Sequence, residues 1–167
     1  MAIINSLPTF LLIVPLLLSH VDGRSLSALS GDAAEFLVPH NELRKSIGVP
    51  PLQWSTQLAD VAMQYANQRK RDCALVHSTL SYGENIFWGQ GKSWTIRDVV
   101  AAWAAEQRFY DYRTNTCSSN ADCYHYTQMV WRTTQRVGCA RIFCDSGDTY
   151  GVCEYDPHGN IIGRRPY

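Results

Sequence analysis

Several features that mark other protein classes are absent from this 167-residue sequence. It has no internal repeat, no low-complexity tract, no linker and no block of basic residues. Its 15 Lys and Arg residues balance 15 Asp and Glu residues. A near-neutral surface argues against nucleic acid or an anionic membrane as the main partner. A chain of this length without a linker is expected to form one domain.

Familiar catalytic signatures are also missing. There is no H-E-x-x-H zinc motif, no G-x-S-x-G nucleophile turn and no paired C-x-x-C module. The segment WGQGKSW ends like a phosphate-binding loop, but Ile86 stands where that motif requires glycine. These absences favour a protein that is not an enzyme.

Long apolar runs are absent except at the N-terminus. Residues 10–18, FLLIVPLLL, are too few to span a bilayer but suit the core of a secretory signal peptide, although its usual basic start is missing. We expect cleavage after Gly23, because Val21 and Gly23 supply small residues that a signal peptidase accepts. The chain is accordingly divided into a signal peptide (1–23), a flexible mature N-terminus (24–34) and a folded domain (35–167). No second run predicts a membrane span.

The sequence does contain cysteine, and all of it follows the signal peptide. The six residues are Cys73, Cys117, Cys123, Cys139, Cys144 and Cys153. An even number in a secreted chain indicates three disulfides and an oxidising compartment, and it leaves no thiol as a nucleophile. The sequence alone allows 15 connectivities.

Helical periodicity marks three segments. Residues 35–47 have apolar side chains at helical spacing, and Pro39 either begins this helix or kinks it. Ser55 is placed to cap a second helix. The third, over residues 95–110, begins at Thr95 with a capping-box arrangement.

The C-terminal third alternates as two strands, RVGCARIFC and DTYGVCEYD, joined by a three-residue loop at 145–147. In that register Cys139 lies opposite Cys153, close enough for a disulfide. Cys144 is an odd number of residues from Cys139, so it points to the other face and needs a distant partner.

The other two disulfides are assigned by the simplest pairing of the remaining four cysteines. Cys117 and Cys123 bracket a short polar loop, so their mutual bridge is the simplest choice. Cys73 and Cys144 then remain as the third pair. A slip of one residue in the strand register would change this assignment.

Histidines and carboxylates are the remaining candidates for chemistry. The mature chain offers His40, His77, His125 and His158, with Glu84 and Glu106 in apolar or glycine-rich surroundings. Two histidines and two glutamates suit a zinc-like divalent ion, and equally suit acid-base work. The competing interpretation is structural: the histidines are hydrogen-bonded and fix loops, while Glu84 accepts backbone or imidazole donors.

Aromatic side chains are concentrated around the small disulfide loop. They are Phe109, Tyr110, Tyr112, Tyr124, Tyr126 and Trp131. Such side chains combine apolar area with a polar tip, which suits a flat and mostly apolar ligand. Ordinary core packing with a few exposed tyrosines is the competing interpretation.

Seven motifs taken together resemble one family. In chain order they are HNELR, GVPPLQW, YANQR, DCALVHS, YGENIFWG, HYTQMVWRTTQRVGCARIFC and CEYDPHGNIIGRRPY. This set resembles the plant pathogenesis-related proteins of class one, members of the CAP superfamily with cysteine-rich secretory proteins and venom antigens. The resemblance covers residues 35–167.

The resemblance implies an α+β fold, a three-layer α-β-α sandwich with a central antiparallel sheet. It implies three disulfides, Cys73–Cys144, Cys117–Cys123 and Cys139–Cys153, in agreement with the strand register. The family's cleft tetrad falls on His77, Glu84, Glu106 and His125, which are also the candidate ligands of a divalent cation such as zinc. No cofactor is implied as a requirement.

The resemblance also implies a secreted defence protein of the apoplast that inhibits fungi and oomycetes. Several relatives bind sterols through an aromatic loop that corresponds here to Phe109, Tyr110, Tyr112, Tyr124 and Tyr126. The expected partner is a sterol or another lipid, and the expected state is a monomer. One alternative is a metal-assisted hydrolase that uses the histidines and glutamates of the cleft.

A further alternative is a carrier for a C-terminal peptide. In relatives a short defence-signalling peptide is thought to be released, and here it corresponds to Pro157 to Tyr167, with a receptor or a pathogen surface as its partner.

Two positions depart from the family. Tyr124 stands where many relatives have glycine, and Glu154 replaces the asparagine of the C-N-Y motif at which this processing occurs.

Overall fold

The computed structural model describes residues 31–167, so the signal peptide assigned to residues 1–23 lies outside the described residues. The described chain forms the helices α1 (Gly31–Ile47), α2 (Thr56–Arg69), α3 (Ile96–Ala104) and α4 (Tyr124–Met129). Its strands are β1 (Gln53–Trp54), β2 (Gly83–Gly89), β3 (Tyr110–Asp111), β4 (Thr116–Cys117), β5 (Arg136–Phe143) and β6 (Thr149–Asp156). Across these residues no helix has both the length and the apolar character to span a bilayer.

Helix α1 begins earlier than the sequence predicts. It starts at Gly31, so residues 31–34 are helical and do not belong to the flexible segment assigned to residues 24–34. Asp32 in the first turn favours this start, because a negative charge is stabilised near a helix N-terminus. Pro39 lies inside the helix. The prediction that this helix begins at Pro39 is therefore wrong.

Both predicted helix caps are present. Ser55 Oγ accepts a hydrogen bond from the backbone nitrogen of Leu58 at 3.2 Å and starts α2. Thr95 and Asp98 form a capping box at the start of α3. The third helix is shorter than predicted, because a 3₁₀ helix replaces α-helix over Ala105–Phe109.

The central sheet has the strand order β1-β5-β6-β2. The three long strands pair antiparallel as expected, whereas the two-residue strand β1 pairs in parallel with β5. The hairpin has the predicted register, with Cys139 opposite Cys153 and Gly147 at a φ of 87° in the loop. Strand β2, which was not predicted from the sequence, places Glu84 opposite Glu154.

Helices cover both faces of this sheet. Phe36 of α1 and Val99 of α3 lie in the core on one face, and Ala62 of α2 lies in the core on the other. Gly138 of β5 allows α2 to approach closely, because a Cβ atom there would lie 2.2 Å from the backbone nitrogen of Ala59. The fold is therefore the expected three-layer α-β-α sandwich.

All three predicted disulfides are present, and no cysteine of the described chain is free. The Cα atoms are 5.9 Å apart in Cys73–Cys144, 5.6 Å in Cys117–Cys123 and 4.1 Å in Cys139–Cys153. The first bridge joins residues 71 positions apart, and a bridge that closes a long loop restricts the unfolded chain most. It fastens the loop after α2 to the end of β5.

Candidate functional site

The first histidine-glutamate pair fastens the loop before β2 to the sheet. His77 Nδ1 lies 2.6 Å from Glu84 Oε1, and the backbone N–H of Ser78 donates to both carboxylate oxygens at 3.0 and 3.3 Å. The His77 side chain is 62% exposed, whereas that of Glu84 is only 6% exposed. The carboxylate is thus the buried anchor, and the imidazole is its accessible partner.

The second pair joins the end of α3 to the start of α4. His125 Nδ1 lies 2.6 Å from Glu106 Oε1, and the backbone N–H of His125 donates to Glu106 Oε2 at 3.0 Å. Glu106 projects from the 3₁₀ helix that follows α3, so the tighter turn positions its carboxylate. The His125 ring stacks on Trp103 with the ring centroids 6.3 Å apart. This pair therefore caps α4 and holds it against α3.

The four residues of the predicted tetrad form two hydrogen-bonded pairs on neighbouring elements, since Asn85, beside Glu84, donates through Nδ2 to the His125 carbonyl at 3.1 Å. A cavity of about 270 Å³, here called the histidine cleft, is lined by His77 and Glu84 but by neither Glu106 nor His125. Within residues 31–167 no three His, Cys, Asp or Glu side chains lie close enough together to hold a metal ion. Each Nδ1 is tied to a glutamate, an arrangement that orients Nε2 in metal-binding histidines. The four residues thus offer two imidazole nitrogens, fewer than the three or four protein ligands of ordinary zinc sites.

Glu154 is an ionisable residue beside Glu84 that sequence spacing does not place in the site. Its side chain is fully buried opposite Glu84, and neither carboxyl oxygen has a hydrogen-bond partner among the described residues. Burial, and secondly the neighbouring Glu84 carboxylate, raise the pKa of Glu154 to about 8. The carboxyl group is therefore neutral over the acidic and neutral range. Strand β6 lies between two others, which explains the burial.

A second cavity, of about 410 Å³, lies beside the small disulfide loop. Its walls are formed by three aromatic rings, one disulfide and the end of the chain: Tyr110, Tyr124, Trp131, Cys117–Cys123, residues 160–164 and Pro166. We call it the aromatic cavity. Its walls carry no acidic side chain.

Two residues of the predicted lipid loop, Tyr110 and Tyr124, line the aromatic cavity. The Tyr124 side chain is prominent, at 61% exposure. Tyr124 is the position where many relatives have glycine, and its ring does not line the histidine cleft. Tyr124 therefore adds an aromatic wall to this cavity.

The other three predicted loop residues do not line the aromatic cavity. Tyr126 is buried, and its hydroxyl lies 2.9 Å from that of Tyr167. Tyr112 stacks on Tyr167 with ring centroids 5.0 Å apart, and Phe109 lies beneath the guanidinium of Arg108. Of these rings, Tyr112 and Tyr126 hold the end of the chain in place.

The candidate peptide Pro157 to Tyr167, here called the C-terminal segment, lies across the domain. Gly159 N donates to Gln128 Oε1 at 2.8 Å, Asn160 Nδ2 to the Tyr124 carbonyl at 2.9 Å, and Arg132 N to the Pro166 carbonyl at 2.7 Å. The segment contributes residues to the aromatic cavity and, through His158, to the histidine cleft. His158 was one of several candidate histidines in the sequence. Its position in the cleft has no signal in sequence spacing.

Comparisons with known proteins agree with this fold. Residues 37–155 match the CAP family, described as the cysteine-rich secretory protein family. The chain is 49% identical over 134 residues to pathogenesis-related protein PR-1 of Medicago truncatula, with 80% of this chain and 78% of that protein covered. It is 44% identical over 163 residues to pathogenesis-related protein 1A of Nicotiana tabacum, with 98% and 96% covered.

Solved structures give the same result. The venom allergen-like protein 4 of Schistosoma mansoni is 30% identical with a TM-score of 0.66, and 83% of this chain and 95% of that chain are covered. The crystal structure of NaASP2 with Zn²⁺ is 25% identical with a TM-score of 0.63, and 83% and 86% are covered. Both matches extend over most of the described domain.

Proposed function

Because this chain belongs to the PR-1 class of plant defence proteins within the CAP family, we propose that it acts by capturing a sterol or a related lipid. Family membership supports an extracellular location, and the compartment that we propose is the apoplast. Withdrawing sterol from a fungus or an oomycete that depends on it explains inhibition of growth without catalysis. The proposed working state is a monomer.

The aromatic cavity is the observation that supports this proposal. Its volume of about 410 Å³ lies within the range of roughly 300–1,000 Å³ that small-molecule sites have. Rings of Tyr110, Tyr124 and Trp131 offer flat apolar surface, and tyrosine hydroxyls add polar tips. A rigid, flat and mostly apolar molecule with one polar group matches such walls.

We expect removal of the cavity rings to weaken sterol binding by about tenfold or more, because each ring contributes buried apolar area. The change is Tyr110→Ala with Tyr124→Ala, and the measurement is equilibrium binding of a labelled sterol to oxidised residues 24–167 in metal-free buffer. Phe143→Ala is the matched control, since Phe143 is an exposed ring of β5 that does not line the cavity. Unchanged affinity in the double variant would refute the assignment.

A second candidate function is binding of a divalent cation such as zinc at the two histidine-glutamate pairs. It is favoured by the Nδ1 hydrogen bonds, which orient both free Nε2 atoms, and a relative of similar fold was crystallised with Zn²⁺. With only two imidazole ligands, binding should be weak. We expect His77→Ala with His125→Ala to abolish the zinc signal in calorimetry, with Phe143→Ala, at an exposed ring of β5, as the control. Zinc uptake that survives the double variant would exclude the two pairs as ligands.

We do not extend the proposal to hydrolysis. No free thiol is present among the described residues, and the sequence has neither the H-E-x-x-H motif nor the G-x-S-x-G motif that would supply a metal-bound water or a serine nucleophile. In our proposal the two pairs fix loops around the sheet, and the protein is not an enzyme.

A further inference from the structure

A group of arginines adjoins the aromatic cavity. A smaller cavity of about 170 Å³, here called the arginine pocket, is lined by Arg132, Arg164 and Arg165 and by no acidic side chain. Arg164 also lines the aromatic cavity, as do Trp131, Ile161 and Pro166. The two cavities are thus neighbours that share part of their walls.

No carboxylate side chain lines this pocket. None of the ion pairs within residues 31–167 involves Arg132, Arg164 or Arg165. Three guanidinium groups around so small a volume repel one another. An anion placed there would relieve this repulsion and accept charge-assisted hydrogen bonds.

One of the arginines is held in position before any ligand arrives. Arg165 donates to the backbone carbonyls of Tyr112 and Arg113, and its guanidinium lies 5.2 Å from the centroid of the Tyr112 ring. Arg132 and Arg164 are exposed, and their guanidinium groups have no hydrogen-bond acceptor within the described residues. These two groups are therefore free to bind an anion.

The edge of the aromatic cavity also carries an apolar side chain that water surrounds. Ile162 lines that cavity and is 100% exposed, two positions before Arg164. Surfaces that bind amphiphiles combine exposed apolar side chains with unpaired positive charge. Apolar walls on one side and guanidinium groups on the other therefore select one kind of molecule.

We propose that this protein prefers an amphiphile with a negatively charged headgroup, whose apolar body occupies the aromatic cavity while its acid contacts Arg164 and Arg132. The inference rests on the proposed lipid capture and adds the charge of the ligand. A neutral sterol fills the cavity but leaves the arginine pocket to water. A sterol sulfate or a similar lipid acid uses both.

The test compares a labelled sterol with its 3-sulfate ester, both below the concentration at which they form micelles, on oxidised residues 24–167. We expect the sulfate to bind about tenfold more tightly at low salt, and this preference to shrink as salt screens the charges. Arg132→Gln with Arg164→Gln should abolish the preference. Arg132→Gln alone, at a residue that does not line the aromatic cavity, should reduce the preference and leave the affinity for the neutral sterol unchanged. Arg97→Gln, at an exposed arginine of α3 that lines neither cavity, should retain the preference.

The outcomes separate this inference from the proposed function. Equal affinity for the two sterols, or a preference that survives the double variant, overturns the inference and leaves lipid capture standing. Inorganic sulfate alone should bind far more weakly than the sterol sulfate, and equal binding would mean that the pocket is a simple anion site. Binding of neither sterol overturns both the inference and the proposed function.

Discussion

Single residues in the core show how much polar character this fold tolerates. Arg44 is fully buried without a carboxylate partner, and its guanidinium donates instead to four backbone carbonyls, those of Pro50, Met129, Trp131 and Thr134. Burial lowers the pKa of Arg44 to about 10, which keeps it charged at physiological pH. Its hydrogen bonds compensate the loss of water. Arg44 thereby ties α1 to the chain that follows α4.

Glu154 lacks such compensation, so its charge should make stability depend on pH. An ordinary glutamate titrates near 4.5, and in the fold the pKa of Glu154 is about 8. The folded chain therefore binds one more proton between these values, and stability falls as pH rises from about 4.5 to about 8. Below this window the neutral carboxyl group carries no penalty.

We predict that Glu154→Gln removes this pH dependence, because the amide has a similar shape and no charge. Above pH 8 the variant should be more stable than the natural chain by roughly 2 to 5 kcal/mol, and at pH 4 it should show no such gain. Denaturant unfolding of the oxidised protein at both pH values measures this. Glu35→Gln, at an exposed position of α1, is the control. A gain of equal size at both pH values would contradict the assignment of the buried charge.

The C-terminal segment is the element with the most functional consequence. All six cysteines precede it, so cleavage of the Asp156–Pro157 bond would leave the segment without a covalent link to the domain. The carbonyl groups of Asp156 and Pro157 both accept hydrogen bonds. Gln135 N donates to the Asp156 carbonyl, and Thr134 Oγ1 donates to the Pro157 carbonyl. Release therefore requires this edge of the domain to open first.

Release of the segment should also abolish lipid capture, because residues 160–164 and Pro166 form part of the aromatic cavity. We predict that a chain ending at Asp156 binds labelled sterol at least about tenfold more weakly than the full chain. In the full chain, bound sterol should slow proteolysis at the Asp156–Pro157 bond. Adding the peptide of residues 157–167 back in trans tests whether the shortened domain remains folded and able to bind.

Two results would contradict this coupling: full sterol affinity in the shortened chain, or proteolysis at the same rate with and without sterol. The carrier hypothesis is separate, and it predicts the fragment from Pro157 to Tyr167 in extracellular fluid during infection. Mass spectrometry that finds no such fragment would remove its support. Glu154, which replaces the asparagine of the family motif, is buried in β6, two residues before the Asp156–Pro157 bond.

The whole molecule is stabilised by two cores on opposite faces of one sheet, and the disulfides connect them to the periphery. Cys139–Cys153 lies in the core shared with α1 and α3, whereas Cys73–Cys144 lies in the core shared with α2. The third bridge, Cys117–Cys123, lines the aromatic cavity. Two bridges thus stabilise the sandwich, and the third shapes the wall of the candidate ligand site.

The sequence by itself determined the features that depend on neighbouring residues. Ser55 and Thr95 mark helix starts because a cap acts within one turn, and the loop at 145–147 sets the hairpin register because strand pairing spreads from the turn. That register, with parity along the strand, was enough to pair Cys139 with Cys153 and to give Cys144 a distant partner, whereas Cys117–Cys123 was chosen as the simplest bridge and Cys73–Cys144 was the remaining pair. Strand β2 was not predicted, because its seven residues begin and end with glycine and its apolar and polar side chains do not alternate.

Only the tertiary structure decided which distant side chains meet. It arranged the tetrad as two hydrogen-bonded pairs, because Glu84 of β2 binds His77 of the preceding loop whereas Glu106 and His125 join α3 to α4. It also placed Glu154 against Glu84 and brought the C-terminal segment across the aromatic rings. Such contacts arise from packing of segments far apart in the chain, and spacing along the sequence carries no record of them.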